Sequence, residues 1–249
     1  MHAAAIVLSY GRPELGELLA MWARQSIPIK LLVWLDDCPV EVTSPSPLVH
    51  VHRSPRLGNR HGIGGVRAAA VALARELWGI DSFLVLDDDD YYSPHHAELT
   101  LRALEVSPHG WTGGLRVGIQ WGPDGPIELV RGGSGPGQHA TWALSIATYD
   151  AAGGYLEADH FEDIGLGRRI QQLPAGPREY GNERCGSHGY VTHVRRQFGT
   201  GFSVSYDRTA VRRVVSRVPI VPVWRPELDE LAKWCAQFQS DFRGIDGSR

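Results

Sequence analysis

The stretch Phe83-Leu84-Val85-Leu86-Asp87-Asp88-Asp89-Asp90 sets four apolar residues directly before four carboxylates. A short unbroken apolar run ending in a polar turn predicts a strand buried on both faces, as in a parallel sheet covered by helices. Such a strand delivers the acidic run to its C-terminal end, where open α/β sheets place ligands. Adjacent carboxylates repel one another. A hard divalent cation held by oxygen ligands, magnesium or manganese, relieves that repulsion, and a solvated acidic turn is the plain alternative.

Working outward, Ala4 to Leu8 is a second apolar run, ended by Ser9-Tyr10-Gly11-Arg12-Pro13. Leu15, Leu18, Leu19 and Trp22 then recur at helical spacing up to about Gln25, before Pro28 and a further run from Leu31 to Leu35. A short third strand is expected over Leu48 to His52, a glycine-punctuated loop over Gly58 to Gly65, and an alanine-rich helix over Val66 to Trp78. Strands alternating with helices predict an α/β fold, a Rossmann-like and mainly parallel sheet flanked by helices. Beyond residue 110 the pattern loosens. Gly113 to Trp121 and Ile127 to Val130 read as strands of a hairpin around Gly122-Pro123-Asp124-Gly125, and Gly132 to Gly137 as a lid or a connector. Phe161 to Gln172 reads as a short helix, and Arg225 to Phe242 as an amphipathic one with Leu228, Leu231, Trp234, Cys235 and Phe238 on one face. The expectation is one domain over 1–249.

The 249 residues carry 25 basic and 28 acidic side chains, a formal charge of −3, which disfavours a generic polyanion binder. The charge is nonetheless polarised. Residues 1–164 hold 11 basic and 20 acidic side chains (−9), and 165–249 hold 14 and 8 (+6). Within that second part, 165–217 carries ten arginines against three acidic residues, which can meet an acidic acceptor or neutralise the acidic half. Three cysteines without CxxC spacing suggest neither a disulfide framework nor a thiolate zinc site. No apolar segment approaches the ~20 residues that cross a bilayer, so a cytoplasmic protein without a transmembrane segment is expected.

Three more groups carry chemistry. Asp36-Asp37 follows the Leu31 strand as Asp87 to Asp90 follow theirs, and carboxylates there can accept hydrogen bonds from a base or ribose. Gly62-Ile63-Gly64-Gly65 lacks dinucleotide-fingerprint spacing, because Arg67 stands where the last glycine belongs; it is either a phosphate contact at a helix start or a helix start alone. Glu162-Asp163 can supply a general base, or pair with Arg169 along a helix. Of eleven histidines, His193, and less so His188, can complete a metal shell, whereas His95-His96 begins a helix.

In this order the pieces resemble the GT-A glycosyltransferases, in particular the large family 2. Ile6 to Leu15 looks like that family's opening strand and turn, with Gln25 at the end of the first helix. Leu32 to Asp37 resembles its second strand with uracil-contacting aspartates, and Asn59 to Arg67 its glycine-rich segment. Leu86 to Asp90 resembles its D-x-D-D motif, and Ala152-Gly153-Gly154-Tyr155 with Glu162 to Ile170 its acceptor-side G-G-Y and E-D segments. The resemblance covers residues 4 to about 200 and implies a nucleotide-sugar-binding half at 1–110 and an acceptor-side half at 111–249. Cys38-Pro39 departs from the family's glycine and serine, and the final helix has no counterpart.

The resemblance implies a nucleoside-diphosphate sugar donor, a UDP-sugar first, transferred to an acceptor hydroxyl with Mn2+ or Mg2+ as cofactor. It implies donor contacts from Ser9, Arg12, Asp36, Asp37, Arg67, Asp87 and Asp88, a metal site at Asp89 with His193, and Asp163 as the base of an inverting transfer. Trp142, Gly154 and Glu162 fall on the acceptor side, with the acceptor open among glycan, lipid and nucleic acid. Transfer to hydroxymethylated bases of phage DNA and a nucleotidyltransferase on a similar sheet are the rival readings.

Overall fold

The apolar runs form the strands expected of them. In the computed structural model, which describes residues 1–55, 58–114, 116–121, 125–131, 139–158, 162–177, 187–188, 193–197 and 218–237, they are β1 (Ala3–Ser9), β2 (Lys30–Asp36), β3 (Val49–Ser54) and β4 (Ser82–Asp87). They pair in parallel in the order β4-β1-β2-β3. Beyond β4 the sheet continues antiparallel through β9 (Ala143–Ser145) to β6 (Trp111–Gly114), with β10 (Ser187–His188) parallel on its edge. The parallel core explains why these strands read as unbroken apolar runs rather than alternating ones: both faces are covered.

Side chains of a strand point alternately to the two faces, and the core divides accordingly. Ala5, Val7, Leu31, Val33, Leu35, Leu84 and Leu86 face one cluster, covered by α1 (Leu15–Trp22), α3 (His96–Val106) and α6 (Pro226–Gln237). Ala4, Ile6, Leu32, Trp34, Phe83 and Val85 face the other, covered by α2 (Gly58–Trp78), α4 (Ile146–Ala151) and α5 (Glu162–Gln172). In α6, Leu228, Leu231 and Cys235 are the buried members of the expected apolar face. Trp234 packs partly buried against the cluster, while Phe238 to Phe242 lie outside the described residues.

Two local expectations change. The loop expected over Gly58 to Gly65 is helical from Gly58, broken at Gly62, whose φ of 65° and ψ of −179° interrupt the helix. Glycine alone adopts that conformation freely, so the punctuation marked a break inside a helix rather than a loop before one. The single strand expected over Gly113 to Trp121 is two strands in different sheets. β6 stays in the large sheet, while β7 (Arg116–Trp121) forms the expected hairpin with β8 (Ile127–Arg131) in a smaller sheet ordered β5-β11-β7-β8. Its other strands had no signature in the sequence: β5 (Tyr91–Tyr92) is two residues long, and β11 (His193–Gln197) has Val194 as its single apolar residue, so it shows neither an apolar run nor an alternation. The Gly132 to Gly137 run lies outside the described residues.

The C-terminal segment without family counterpart is fastened to the N-terminal half. Ile220 N–H donates to the Glu41 carbonyl at 2.7 Å and Val223 N–H to the Gly16 carbonyl at 2.9 Å. Arg225 Nε donates to Glu17 at 3.0 Å, and the Arg24 guanidinium lies 3.5 Å over the Trp224 ring.

Candidate functional site

Parallel pairing brings the C-terminal ends of β2 and β4 to one edge of the sheet, on either side of the end of β1. Asp36 and Asp37 therefore stand beside the turn Ser9-Tyr10-Gly11-Arg12, with Asp87 to Asp90 beyond it. Asp36 is buried, and Asp37 holds φ at 51°, the one positive value of a non-glycine residue among those described. Aspartate tolerates that region better than most residues, and such conformations cluster at ligand sites. Tyr10 senses both acidic groups: burial pushes its phenol up, and Asp36 and Asp88 add to the shift.

The acidic run is held by side chains from across the chain. Ser9 Oγ donates to Asp88 Oδ2 at 2.5 Å. The Arg12 guanidinium forms an ion pair with Asp89 and lies 3.5 Å from Asp88. Asp87 N–H donates to the Tyr92 hydroxyl at 2.7 Å. His193, buried on β11, donates from Nε2 to Asp90 Oδ2 at 2.8 Å, leaving Nδ1 buried without a hydrogen-bond partner among the described residues. The structure thus brings His193 to the acidic run and places it on Asp90; the His188 side chain lies outside the described residues.

The side chains of eight of the ten arginines in 165–217 lie outside the described residues. Arg12 and Arg67, both from the acidic half, face the carboxylates, whereas Arg169 donates to the Ala152 and Gly154 carbonyls. Arg67, buried on α2, bridges Glu162 at 3.1 Å and Asp87 at 3.4 Å. This displaces the Glu162–Arg169 pairing considered from sequence. Behind it, His139 Nε2 and the Tyr155 hydroxyl share a 2.6 Å hydrogen bond. Burial, reinforced by Arg67, holds the His139 imidazole well below its ordinary pKa and hence neutral. Sequence reasoning passed over His139 and the Tyr155 hydroxyl, because a lone histidine after a glycine run carries no spacing signal.

Glu162 and Asp163 open α5, in the first helical turn, where the helix dipole favours carboxylates. Their environments differ. Glu162 is buried, and burial pushes its carboxyl up against the pull of Arg67. Asp163 is half-buried and accepts the Ile164 N–H at 2.7 Å.

Two residues expected on the acceptor side belong to the core instead. Trp142 is 2% exposed, edge-on to Trp111 at 5.6 Å and to His139 at 5.0 Å, and its carbonyl accepts the Val85 N–H. No acceptor reaches a ring so enclosed. Gly154, at φ 64°, sits in the turn after α4, where an added Cβ meets the Tyr149 ring at 3.0 Å.

The acidic run makes stability pH-dependent. Burial together with Asp90 and Asp88 pushes Asp89 up to about 8 against Arg12, and burial pushes Asp88 up to about 6. Asp89 is 37% exposed, so solvent screening moderates the effect. Between the ordinary aspartate value of 3.8 and these values the folded state binds more protons than the unfolded one, so stability falls as pH rises. Melting temperature of the wild type, taken relative to Asp89→Asn, is therefore expected to decline from about pH 4 to about pH 8. A relative rise across that window contradicts it.

No protein-family model matches the chain, and no curated protein matches it. Among solved structures, residues 1–349 of S. aureus TarS in complex with UDP-GlcNAc align over 97% of this chain and 73% of that one, with TM-score 0.53 at 12% identity. The same protein in complex with UDP aligns over 99% and 74%, with TM-score 0.52 at 11% identity. The chain has the GT-A fold. In GT-A terms, β1, β2 and β4 form the parallel core whose shared edge carries the two acidic groups, and Arg67 joins that edge to the first turn of α5. Among the described residues no helix is long and apolar enough to cross a membrane.

Proposed function

We propose that this protein is a nucleotide-sugar-dependent glycosyltransferase that moves a sugar from a UDP-sugar to an acceptor hydroxyl. The observation that carries the reading is the convergence, on one sheet edge of a GT-A fold, of Asp36-Asp37, Asp87 to Asp90, Arg12 and Arg67, with Glu162-Asp163 tied to that edge through Arg67. Structures of the same fold hold UDP-GlcNAc and UDP. Asp36 and Asp37 receive the base, and Ser9, Arg12 and Arg67 stand where donor phosphates and ribose are met.

Among the described residues no group of three or more His, Cys, Asp and Glu side chains is gathered to hold a metal ion; burial, with repulsion from Asp90 and Asp88, pushes Asp89 up, and a hard divalent cation on these oxygen ligands would relieve that repulsion. Asp89, assisted by Asp87, would hold Mn2+ or Mg2+, with His193 bracing the run through Asp90. When bound, the cation supplies Lewis-acid stabilisation of the charge that builds on the leaving diphosphate. Asp163 takes the proton of the acceptor hydroxyl. The acceptor oxygen then bonds to the anomeric carbon opposite the leaving group, the bond from that carbon to the diphosphate oxygen breaks, and UDP departs, inverting the anomeric centre.

Incubation with UDP-GlcNAc or UDP-glucose and Mn2+ is expected to release UDP. Release of pyrophosphate instead identifies a nucleotidyltransferase, and no turnover of any nucleotide sugar rejects the reading. Asp89→Ala is expected to weaken Mn2+-supported UDP binding at least tenfold, about 1.4 kcal/mol. Calorimetry checks it, and equal affinities with and without Mn2+ in both proteins remove the metal site.

A further inference from the structure

Glu162 is 3% exposed at its side chain, so an acceptor molecule cannot touch it. Its carboxylate meets Arg67 Nε at 3.1 Å, and its second oxygen is buried with no side-chain hydrogen-bond partner among the described residues. Arg67 in turn is 9% exposed at its side chain, and a guanidinium so deeply placed needs its charge balanced. Its contact with Asp87 is looser, at 3.4 Å, and Asp87 is 43% exposed at the ligand-facing edge.

We propose that Glu162 is a positioning residue for the donor: by holding Arg67 it keeps Asp87 only lightly engaged and open to the nucleotide. The assignment rests on the donor site proposed above and moves Glu162 from the acceptor side to the donor side. Packing fixes the arrangement. A Cβ added at Gly64 lies 2.0 Å from the Leu156 carbonyl oxygen and 3.1 Å from Glu162 Cβ, so glycine there lets α5 approach α2 closely enough for the pair to form. The neutral His139–Tyr155 hydrogen bond behind Arg67 adds no rival carboxylate. Without the Glu162 charge, Arg67 has Asp87 as its remaining carboxylate partner among the described residues and closes on it, in competition with the ligand.

The test is UDP binding with Mn2+, by calorimetry on the full chain. Glu162→Gln, which keeps the shape and removes the charge, is expected to weaken UDP at least tenfold, and Arg67→Met, which removes the donor contact proposed for Arg67 itself, to weaken it by a similar factor. The double variant is expected to bind no more weakly than Arg67→Met alone, because Glu162 acts only through Arg67. A purely structural role lowers the melting temperature of each variant and leaves their effects on UDP additive or absent. Should Glu162→Gln fail to fold, Glu162→Asp, which shortens the reach by one methylene, carries the same comparison. Unchanged UDP affinity in a folded Glu162 variant, or additive losses in the cycle, overturns the assignment alone. Failure of the wild type to bind UDP overturns the donor site and this assignment with it.

Discussion

Asp163→Asn is expected to lower sugar transfer by roughly 10²- to 10⁴-fold, the range general-base catalysis supplies, while UDP affinity stays at the wild-type value. Asparagine preserves the volume of the side chain and an oxygen able to accept the Ile164 N–H, so the first turn of α5 survives. What it lacks is a lone pair basic enough to take the proton of a hydroxyl. The half-buried placement suits the task, since the carboxylate keeps access to an incoming acceptor that Glu162, enclosed with Arg67, does not have. Initial rates of UDP release under transfer conditions, beside UDP titrations of both proteins, check the split. Transfer at the wild-type rate removes Asp163 from the role of base.

The second large effect is on stability rather than chemistry. Trp142→Ala is expected to cost ~3–5 kcal/mol, the range for emptying a buried tryptophan site. For a chain of this size that lowers the melting temperature by roughly 6–20 °C. The cavity would open between Trp111, His139 and the β4 backbone. Trp142→Phe keeps an aromatic ring in place and is expected to lose much less. A Trp142→Ala protein that melts within a degree or two of wild type, with altered turnover, returns Trp142 to the acceptor side and contradicts its placement in the core.

Much of this molecule was legible as text. A strand buried on two faces shows an unbroken apolar run whatever surrounds it, so β1, β2 and β4 could be read at Ala4 to Leu8, Leu31 to Leu35 and Phe83 to Leu86. The polar residues that end such runs must lie at strand ends, which put Asp36-Asp37 and Asp87 to Asp90 on a shared edge before any coordinates. Helix α5 and the apolar face of α6 followed from 3.6-residue periodicity.

Elements without an apolar run were silent: Tyr91–Tyr92 and His193–Gln197 became strands only by pairing with each other and with β7. Burial reassigned Trp142 for a similar reason, since tryptophan is as common at ligand surfaces as in cores and only its neighbours decide between them. The pairings across the site are likewise tertiary. Ser9 with Asp88, Arg67 with Glu162 and Asp90 with His193 are 79, 95 and 103 residues apart. Sequence by itself determined which residue types stand at each strand end, because periodicity and turn chemistry are local. Which carboxylate each cation holds was decided only by the tertiary structure, because an ion pair depends on distance and desolvation, and both are set by how distant segments pack.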